Sequence, residues 1–271
     1  MFELCKYCSS PIRIVNSTYE LVECINCNLI FSRKIFSQLE LQETYDRLYN
    51  DKSPQYKIHS VVEFEELLKG NIKIGYNKKR FLKRYLKGNS KVLEIGSGVG
   101  LIGSYIQQNF PDGSYTGVEL DMETNEKAKS FGLNVHQGDF SIMDDLEGDF
   151  DVILMWEVLE HIQDLRKCIS LINKKLVKGG VFIFSVPNYD KRLNYPTPKE
   201  KLFTSGPPIH LNFFRKQNIY KIFQDANWEI KEFKKKKIPY INFEGIKKHF
   251  FQILLGKFEG PTIYCVVRKK C

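Results

Sequence analysis

A glycine-rich loop directly follows the apolar segment Val92–Ile95 and forms a turn that a small ligand can approach closely. The loop reads E-x-G-x-G-x-G over Glu94–Gly100, and glycine permits both a sharp turn and a close approach of the ligand. The dinucleotide-binding pattern G-x-G-x-x-G would require a glycine at position 101, where Leu101 stands. By itself the loop therefore indicates an adenosine-containing ligand but does not identify which one.

Two acidic residues further along the chain can complete a site for adenosine. Glu119 lies about 20 residues after the loop, where a carboxylate can bind both hydroxyls of a ribose. Asp139, in the segment Gln137–Phe140, follows the next predicted strand, so it lies at the carboxyl edge where ligands of such sheets bind. Either acid alone could be a helix cap or a solvated loop residue, but their order and their positions at strand ends favour a ligand site.

The segment Glu157–His161 reads E-V-L-E-H and carries the groups best suited to acid–base chemistry. An imidazole titrates near neutrality, so His161 is the leading candidate for a catalytic base, and Glu160 for a group that orients or polarises the reacting atoms. Two alternatives stay open. Glu157, Glu160 and His161 would share one helical face and could bind a metal ion together with His210, or His161 could be purely structural.

Four of the seven cysteines form two C-x-x-C pairs near the start of the chain, Cys5 with Cys8 and Cys24 with Cys27. Two such pairs on tight turns bring four thiolates into the tetrahedral arrangement that zinc prefers. The segment has almost no apolar core, so metal binding would supply its folding free energy. A redox role is less favoured, because neither pair opens a helix after a strand. The sequence thus predicts a structural zinc ribbon over residues 1–36.

The elements that must position these groups alternate between strand and helix in the central part of the chain. The apolar patterns predict strand 91–95, helix 101–108, strand 115–119, helix 123–130, strands 134–137 and 151–155, helix 165–176, strand 181–186, helix 216–223 and strands 228–233 and 262–267. Such alternation implies an α/β fold with a mostly parallel sheet covered on both faces. Residues 37–88 are predicted to form a helical segment that covers the cofactor site, ahead of a domain at 89–271 with insertions at 187–208 and 238–260.

Composition and charge exclude some classes of protein. The hydrophobic fraction of 42% is ordinary for a folded chain, and no apolar run approaches the roughly 18–20 residues needed to cross a bilayer. The N-terminus lacks the features of a signal peptide, so we expect a cytoplasmic location and no disulfide framework. The net charge is +9, and Trp228–Cys271 holds eleven basic against four acidic residues. That segment could bind a phosphorylated partner, or it could simply be a solvated surface.

Taken together, these motifs resemble the class I S-adenosylmethionine (SAM)-dependent methyltransferases, in particular the subgroup with an N-terminal zinc ribbon. The resemblance covers nearly the whole chain and extends to Phe150–Ile153, Leu176-x-x-Gly179-Gly180, Val186–Asn188 and His210–Phe214. Asn227-Trp228 stands where a Gly-Phe pair is usual. The resemblance implies a Rossmann-like sheet that is mostly parallel, with an antiparallel C-terminal strand.

The resemblance also implies a role for each residue of the SAM site. Glu94 and the Gly96–Gly100 backbone would hold the methionine part, Glu119 the ribose hydroxyls, and Asp139 with the Phe140 backbone the adenine. The full set of cofactor-binding residues predicted in this way is Tyr76, Glu94, Gly96, Ser97, Gly98, Gly100, Glu119, Leu120, Asp139, Phe140, Trp156 and Glu157. A similar Glu-His pair is implicated in catalysis in zinc-ribbon sugar C-methyltransferases, which implies that role for Glu160 and His161.

Methyl transfer would be an in-line displacement, for which the protein aligns the acceptor, excludes water and removes a proton. In this subgroup carbohydrates or nucleotide-sugars of surface-polysaccharide pathways are common acceptors, and we expect such a small acceptor. One alternative is an RNA methyltransferase that uses the ribbon and the basic C-terminal segment. The sequence has no alternation of aromatic and basic residues of the kind that stacks bases, so nucleic acid is disfavoured as a partner. Another is a quinone or phenol O-methyltransferase with a metal at Glu157, Glu160, His161 and His210. A nucleotide-dependent oxidoreductase and a non-catalytic ribbon module are the competing classes.

Overall fold

The structure is a computed structural model that describes residues 1–50, 54–190, 206–224, 227–235, 250, 254–255 and 259–270. The chain divides into two compact units that interleave in sequence. Unit 1 comprises Met1–Ile35, Glu157–Asp164 and Phe184–Val267, and unit 2 comprises Phe36–Trp156, Leu165–Ile183 and Arg268–Cys271. Most of the predicted insertions at 187–208 and 238–260 lies outside the described residues.

The secondary structure begins with three short strands, continues with three helices and then alternates between strand and helix. In chain order the elements are β1 (Ile12–Asn16), β2 (Leu21–Cys24), β3 (Ile30–Ser32), α1 (Gln38–Asn50), α2 (Pro54–Leu68), α3 (Tyr76–Tyr85), β4 (Lys91–Ile95), α4 (Leu101–Asn109), β5 (Ser114–Glu119), α5 (Met122–Lys129), β6 (Val135–Gln137), a 3-10 helix (Phe140–Asp144), β7 (Phe150–Trp156), a 3-10 turn (Leu159–His161), α6 (Leu165–Lys175), β8 (Leu176–Pro187), β9 (Asn212–Phe213), α7 (Lys216–Phe223), β10 (Trp228–Lys235) and β11 (Thr262–Lys269).

The large sheet has seven strands in the order β10-β11-β8-β7-β4-β5-β6. β4 pairs in parallel with β5 and with β7, and β5 pairs in parallel with β6, while the C-terminal strands are antiparallel. β4 and β7 are buried along almost their whole length, as expected of central strands whose two faces are both covered. The predicted α/β fold with its Rossmann-like, mostly parallel sheet is confirmed.

A second, smaller sheet contains the cysteine segment. β1, β2 and β3 pair antiparallel in that order, and the two-residue strand β9 adds to the free side of β3. β2 and β3 are buried throughout, whereas β1 is an edge strand with mostly exposed side chains. The apolar residues between the two cysteine pairs indicate short strands, and β1 and β2 lie there. β3 and β9 were not predicted, because two or three residues cannot carry a strand pattern of their own.

The predicted elements differ from the observed ones in two informative places. β8 begins at Leu176 instead of residue 181, because the chain passes Gly179, at φ 76°, without leaving the strand. The segment Glu157–His161 is not an α-helix: it holds only a three-residue 3-10 turn, so the expected helical face that would align three ligands is wrong. Within the described residues, no helix is both long enough and apolar enough to span a membrane.

Candidate functional site

The glycine loop between β4 and α4 folds as the sequence requires. Gly96, Gly98 and Gly100 have φ values of 74°, 56° and 85°, in the region that side chains rarely adopt. A Cβ on Gly100 would lie 2.2 Å from Cδ1 of Leu133 and 3.2 Å from Cβ of Ala128, so any larger residue there would force the buried Leu133 side chain to move. A Cβ on Gly98 would meet nothing within 4 Å. The space beside Gly98 is therefore open to a ligand.

Glu94 lies in unit 2, one residue before the end of β4. It is 1% exposed, and its Oε2 accepts a hydrogen bond of 2.6 Å from the hydroxyl of Tyr115. Burial raises the pKa of Glu94 to about 8, against the opposing effects of the Tyr115 hydrogen bond and the positive charge of Lys78. A cation that contacts this carboxyl group would stabilise its charged form.

Glu119 ends β5 and is held against the glycine loop. One carboxylate oxygen accepts from the backbone N–H of Gly98 at 2.8 Å and the other from that of Asp121 at 3.1 Å. Burial raises the pKa of Glu119, and these backbone donors oppose the shift. A carboxylate has about four acceptor sites, so both oxygens can also accept from the hydroxyls of a ligand.

Asp139 lies where the sequence placed it, after β6, and it caps a helix. Its Oδ1 accepts from the backbone N–H of Ser141 at 2.8 Å and from the Ser141 hydroxyl at 2.6 Å. The cap that the sequence offered as an alternative is thus present, and contact of Asp139 and the buried Phe140 with adenine stays a prediction. The predicted cofactor residues Tyr76 and Leu120 are more open, with exposures of 79% and 36%.

Trp156 ends β7 and has features of a ligand site. It is 7% exposed, and in the described part of the chain its indole N–H has no acceptor. The Nζ of Lys78, on α3, lies 5.2 Å from the centre of the indole ring. The sequence did not single out Lys78 because a lysine on a basic helix has no distinctive pattern.

Glu157 follows Trp156 in a left-handed conformation, with φ 58°. That conformation costs a residue other than glycine roughly 1–2 kcal/mol, and such strain is concentrated at functional sites. Its N–H donates to the carbonyl of Ser185 at 3.0 Å, and its Oε1 accepts from the Ser185 hydroxyl at 2.8 Å. Glu157 therefore faces β8 and is not one of the residues that converge in the cluster described next.

Glu160, His161 and His210 form a cluster within unit 1. One ligand atom from each of them lies within 4.8 Å of the others. Nε2 of His161 is 3.9 Å from Oε1 of Glu160, and the two imidazole rings meet edge to face with their centres 4.9 Å apart. Glu160 and His210 are buried, at 1% and 7% exposure. Of the four predicted metal ligands, three converge here and Glu157 does not.

The tautomer of His161 follows from its hydrogen bond. Nδ1 lies 2.9 Å from the carbonyl oxygen of Ile209, which can only accept, so Nδ1 carries the proton and Nε2 presents its lone pair. Burial lowers the pKa of His161 to about 4, and the bond to Ile209 only partly opposes this. Burial thus disfavours the protonated ring, an effect that the sequence does not reveal, and the role of His161 as a base stays a prediction. The ring is neutral at physiological pH, as a metal ligand or hydrogen-bond acceptor must be.

The four ribbon cysteines meet in a single cluster. Sγ of Cys5 lies 3.7 Å from Sγ of Cys27, and Sγ of Cys8 lies 3.4 Å from Sγ of Cys24. Tetrahedral zinc with bonds of about 2.3 Å to sulfur requires S–S separations of about 3.8 Å, so the cluster fits a zinc ion. The hydrogen bond between the Cys5 and Cys27 sulfurs lowers the pKa of Cys5 to about 5, against the opposing effect of burial.

The turns after the cysteine pairs have the backbone that the ribbon needs. Ser9 and Asn28, which stand where many ribbons have glycine, take φ values of 58° and 59°. Backbone N–H groups point at the sulfurs, with Tyr7 donating to Cys5 at 3.4 Å and Asn26 to Cys24 at 3.3 Å. The predicted zinc site therefore has the donor atoms and the backbone that it requires, and zinc itself stays a prediction.

Lys6, which lies between Cys5 and Cys8, is a residue that the sequence did not single out. It is 8% exposed, and its Nζ is 3.4 Å from the carbonyl oxygen of Ile162 and 3.5 Å from that of Leu211. Burial lowers its pKa to about 7. Its place inside the first C-x-x-C pair was the only available signal.

A surface cleft of about 430 Å³ lies in unit 2 at the opposite edge of the sheet. Its lining includes Lys91, Ser114 and Phe150, which begin β4, β5 and β7. Ligands of open α/β sheets bind at the carboxyl ends of the strands, and none of the predicted site residues lines this cleft. We therefore place no chemistry there.

Comparison with known proteins identifies the family of this chain. The family described as a methyltransferase domain matches residues 72–232, more than half of the chain. The ubiquinone biosynthesis O-methyltransferase of Psychrobacter arcticus is 30% identical over 149 residues, which cover 49% of this chain and 52% of that protein. The malonyl-[acyl-carrier protein] O-methyltransferase of Chlorobium phaeovibrioides is 28% identical over 102 residues, or 35% of this chain and 39% of that protein. The chain thus spans about half, or less, of these relatives.

Among solved structures, the plantazolicin methyltransferase BpumL in complex with SAH is similar in fold. The TM-score is 0.55 at 14% sequence identity, and the match covers 86% of this chain and 99% of that chain. At this identity the similarity concerns the fold alone.

Proposed function

We propose that this chain, which belongs to the methyltransferase-domain family and has the class I fold, is a SAM-dependent methyltransferase. In this proposal it methylates a hydroxyl oxygen of a small phenol-type acceptor, and Glu160, His161 and His210 hold a divalent cation. The convergence of these three side chains in unit 1 is the observation that carries the proposal. The chain's relatives named as O-methyltransferases support oxygen as the acceptor atom.

Unit 2 supplies the residues for the cofactor. The open side of Gly98 leaves space for the cofactor, and the buried indole N–H of Trp156 offers it a hydrogen-bond donor. Glu94 would hold the positively charged methionine part and Glu119 the ribose hydroxyls. The N-terminus of α4, which opens directly after Gly100, favours the cofactor carboxylate electrostatically.

The cluster in unit 1 fits a divalent cation better than it fits a simple base. Nδ1 of His161 is bonded to the carbonyl oxygen of Ile209, so Nε2, which lies 3.9 Å from Oε1 of Glu160, is the nitrogen that can bind a cation. A cation bound there would lower the pKa of an acceptor hydroxyl, so that a strong base is not needed. One carboxylate and two imidazoles are a mixed donor set, which suits Mn²⁺, Fe²⁺ or Zn²⁺ better than Mg²⁺.

The acceptor class has two candidates. The relatives named for ubiquinone biosynthesis favour a phenol or quinol, which the sequence offered as an alternative. A carbohydrate or nucleotide-sugar is the second candidate, supported by the cysteine cluster, since the resemblance to sugar methyltransferases includes that ribbon. Both are small molecules, and the basic residues of β10 and β11 would suit phosphates on either.

The test is a methylation assay with the zinc-loaded protein after dialysis against buffer without added divalent cations. A catechol, a nucleotide-sugar and a transfer RNA are each incubated with SAM and with Mn²⁺, Mg²⁺ or neither, and products are identified by mass. We expect the catechol to gain one methyl group, fastest with Mn²⁺. Methylation of the nucleotide-sugar and not of the catechol would favour the second candidate acceptor. Equal rates with and without added cations would contradict the proposed role of the metal.

Two variants locate the cation. His161→Gln and His210→Gln should lower turnover about a hundredfold or more, the usual loss when a group that stabilises the transition state is removed, with unchanged SAM affinity. They should also weaken Mn²⁺ binding, measured by the spin-resonance signal of unbound Mn²⁺. His136→Gln on β6 is the matched control, since His136 lies outside the cluster.

A further inference from the structure

Asn212 is a buried amide in β9 to which the sequence assigned no role. It is 2% exposed, and its backbone pairs with Phe31 of β3, while Phe213 pairs with Ile30. The N–H of Ser32 donates to the carbonyl of Leu211 at 3.0 Å. The third strand of the ribbon sheet therefore fixes the position of residues 211–213.

The side chain of Asn212 spans the short turn that carries Glu160 and His161. Its Nδ2 donates to the carbonyl oxygens of Leu159 and Ile162, each at 2.8 Å. Both partners can only accept, so the nitrogen of the amide must face the turn. One amide thus holds both ends of the segment in place.

The turn depends on such support because three residues in 3-10 geometry make few bonds of their own. Two further hydrogen bonds to the turn come from the segment before β9. The N–H of Leu211 donates to the carbonyl of Glu160 at 2.7 Å, and the carbonyl of Ile209 accepts from His161 Nδ1 at 2.9 Å. The segment that contains His210 is therefore the one that orients His161.

We infer that Asn212 is a positioning residue that couples the ribbon sheet to the cluster of Glu160, His161 and His210. The ribbon is then a structural part of this site and not a separate binding module. Lys6 of the ribbon adds a second tie to the same two segments through its Nζ. The importance of the coupling for catalysis rests on the proposed function, whereas the coupling itself does not.

Asn218 on α7 offers a matched control. It is fully buried, and its Nδ2 donates to the carbonyl oxygens of Asn28 at 3.3 Å and Phe213 at 3.1 Å. It therefore ties the same ribbon and the same strand together. Neither of these bonds reaches the turn Leu159–His161.

The experiment compares Asn212→Ala with Asn218→Ala in the zinc-loaded protein with SAM bound. The readout is the set of imidazole C–H resonances of the five histidines, assigned with His161→Gln and His210→Gln. We expect Asn212→Ala to shift the signals of His161 and His210, whereas Asn218→Ala lowers the melting temperature and leaves both in place. SAM affinity should stay unchanged in both variants. Turnover should fall about a hundredfold in Asn212→Ala alone, the cost of a misplacement of about 1 Å.

One further measurement and one further variant keep the test decisive. Cobalt absorption bands from the cysteine site verify that the ribbon is intact in each variant, and Asn212→Ser, which keeps one donor, replaces Asn212→Ala if that variant does not fold. Unshifted His161 and His210 signals in a folded Asn212 variant would overturn the inference. Shifted signals in a protein that methylates no acceptor would leave the coupling standing and overturn the proposed function.

Discussion

The hydroxyl of Tyr115 donates a hydrogen bond of 2.6 Å to Oε2 of Glu94 inside unit 2. The two side chains are 7% and 1% exposed. Burial raises the pKa of Glu94 to about 8 and raises that of Tyr115 above its usual value. The carboxyl group therefore keeps its proton near neutral pH until a positive charge comes close to it.

Binding of SAM should release a proton from Glu94. The sulfonium and ammonium groups of the cofactor favour the carboxylate, so the pKa of Glu94, about 8 without cofactor, falls on binding. The cofactor-free form then holds more protons than the bound form, and affinity should rise with pH up to about 8, by at most about tenfold per pH unit. Calorimetric titration at pH 7 in buffers of different ionisation enthalpy measures the released proton directly.

The variant Glu94→Gln is the control for this linkage. It should bind SAM more weakly and release no proton from this site, because an amide does not titrate. Tyr115→Phe should move the release to higher pH, since it removes a hydrogen bond that lowers the pKa of Glu94. Wild-type protein that binds SAM without any proton release would contradict the assignment.

Gly98 and Gly100 should respond differently to the same substitution. Gly100→Ala places a methyl group 2.2 Å from Leu133, so we expect a loss of stability of about 2–4 kcal/mol from overpacking and left-handed strain. Gly98→Ala meets open space and should cost only about 1–2 kcal/mol, but it should weaken SAM binding by narrowing the ligand side of the loop.

Thermal unfolding and SAM titration of the two variants separate these effects. Each serves as the control for the other, since both positions have positive φ in the same loop. Unchanged SAM affinity in Gly98→Ala would show that the open side of the loop does not face the cofactor.

Local patterns sufficed to predict the sheet and the residues on its strands. Glu119 ends β5 as predicted, Glu94 lies one residue before the end of β4, and Trp156 extends the predicted strand 151–155 by one residue. A buried parallel strand is a short apolar run, and its end is marked by the first polar residues or glycines. The cysteine spacing likewise predicted the cluster that the structure contains. The cytoplasmic location stays a prediction of the sequence.

Contacts between distant segments could not be predicted in the same way. β9 is two residues long, and its pairing with β3 spans about 180 residues of chain, so no local period reveals it. The lowered pKa of His161 also arises from burial by such distant segments. Helical spacing at Glu157–His161 misled for a related reason: the strained Glu157 and the bonds to residues 209–212 override local preference.

Glu119 and Asp121 are neighbouring acids with different tasks, and alanine variants should separate them. Glu119→Ala removes the carboxylate proposed for the ribose hydroxyls, so we expect SAM affinity to fall about 10- to 100-fold, as one charge-assisted hydrogen bond contributes roughly 1.5–3 kcal/mol. Asp121→Ala removes the cap of α5, a bond of 2.8 Å from the N–H of Thr124, and should cost about 1 kcal/mol of stability with unchanged affinity. Calorimetry and urea unfolding give the two numbers, and equal affinities in both variants would contradict the role of Glu119.

Zinc should be present at one ion per chain and should hold unit 1 together. Cys24→Ser removes one of the four thiolates, so we expect loss of zinc and a marked fall in melting temperature, because metal binding supplies much of the folding free energy of a small ribbon. Cys168→Ser on α6 is the matched control: it also replaces a buried cysteine but lies outside the cluster, so its zinc content should equal that of the wild type. Metal analysis and thermal unfolding of both variants make the comparison.

Wild-type protein purified without chelators and free of zinc would contradict the prediction. So would equal zinc contents in Cys24→Ser and the wild type, because three thiolates leave the tetrahedral site incomplete.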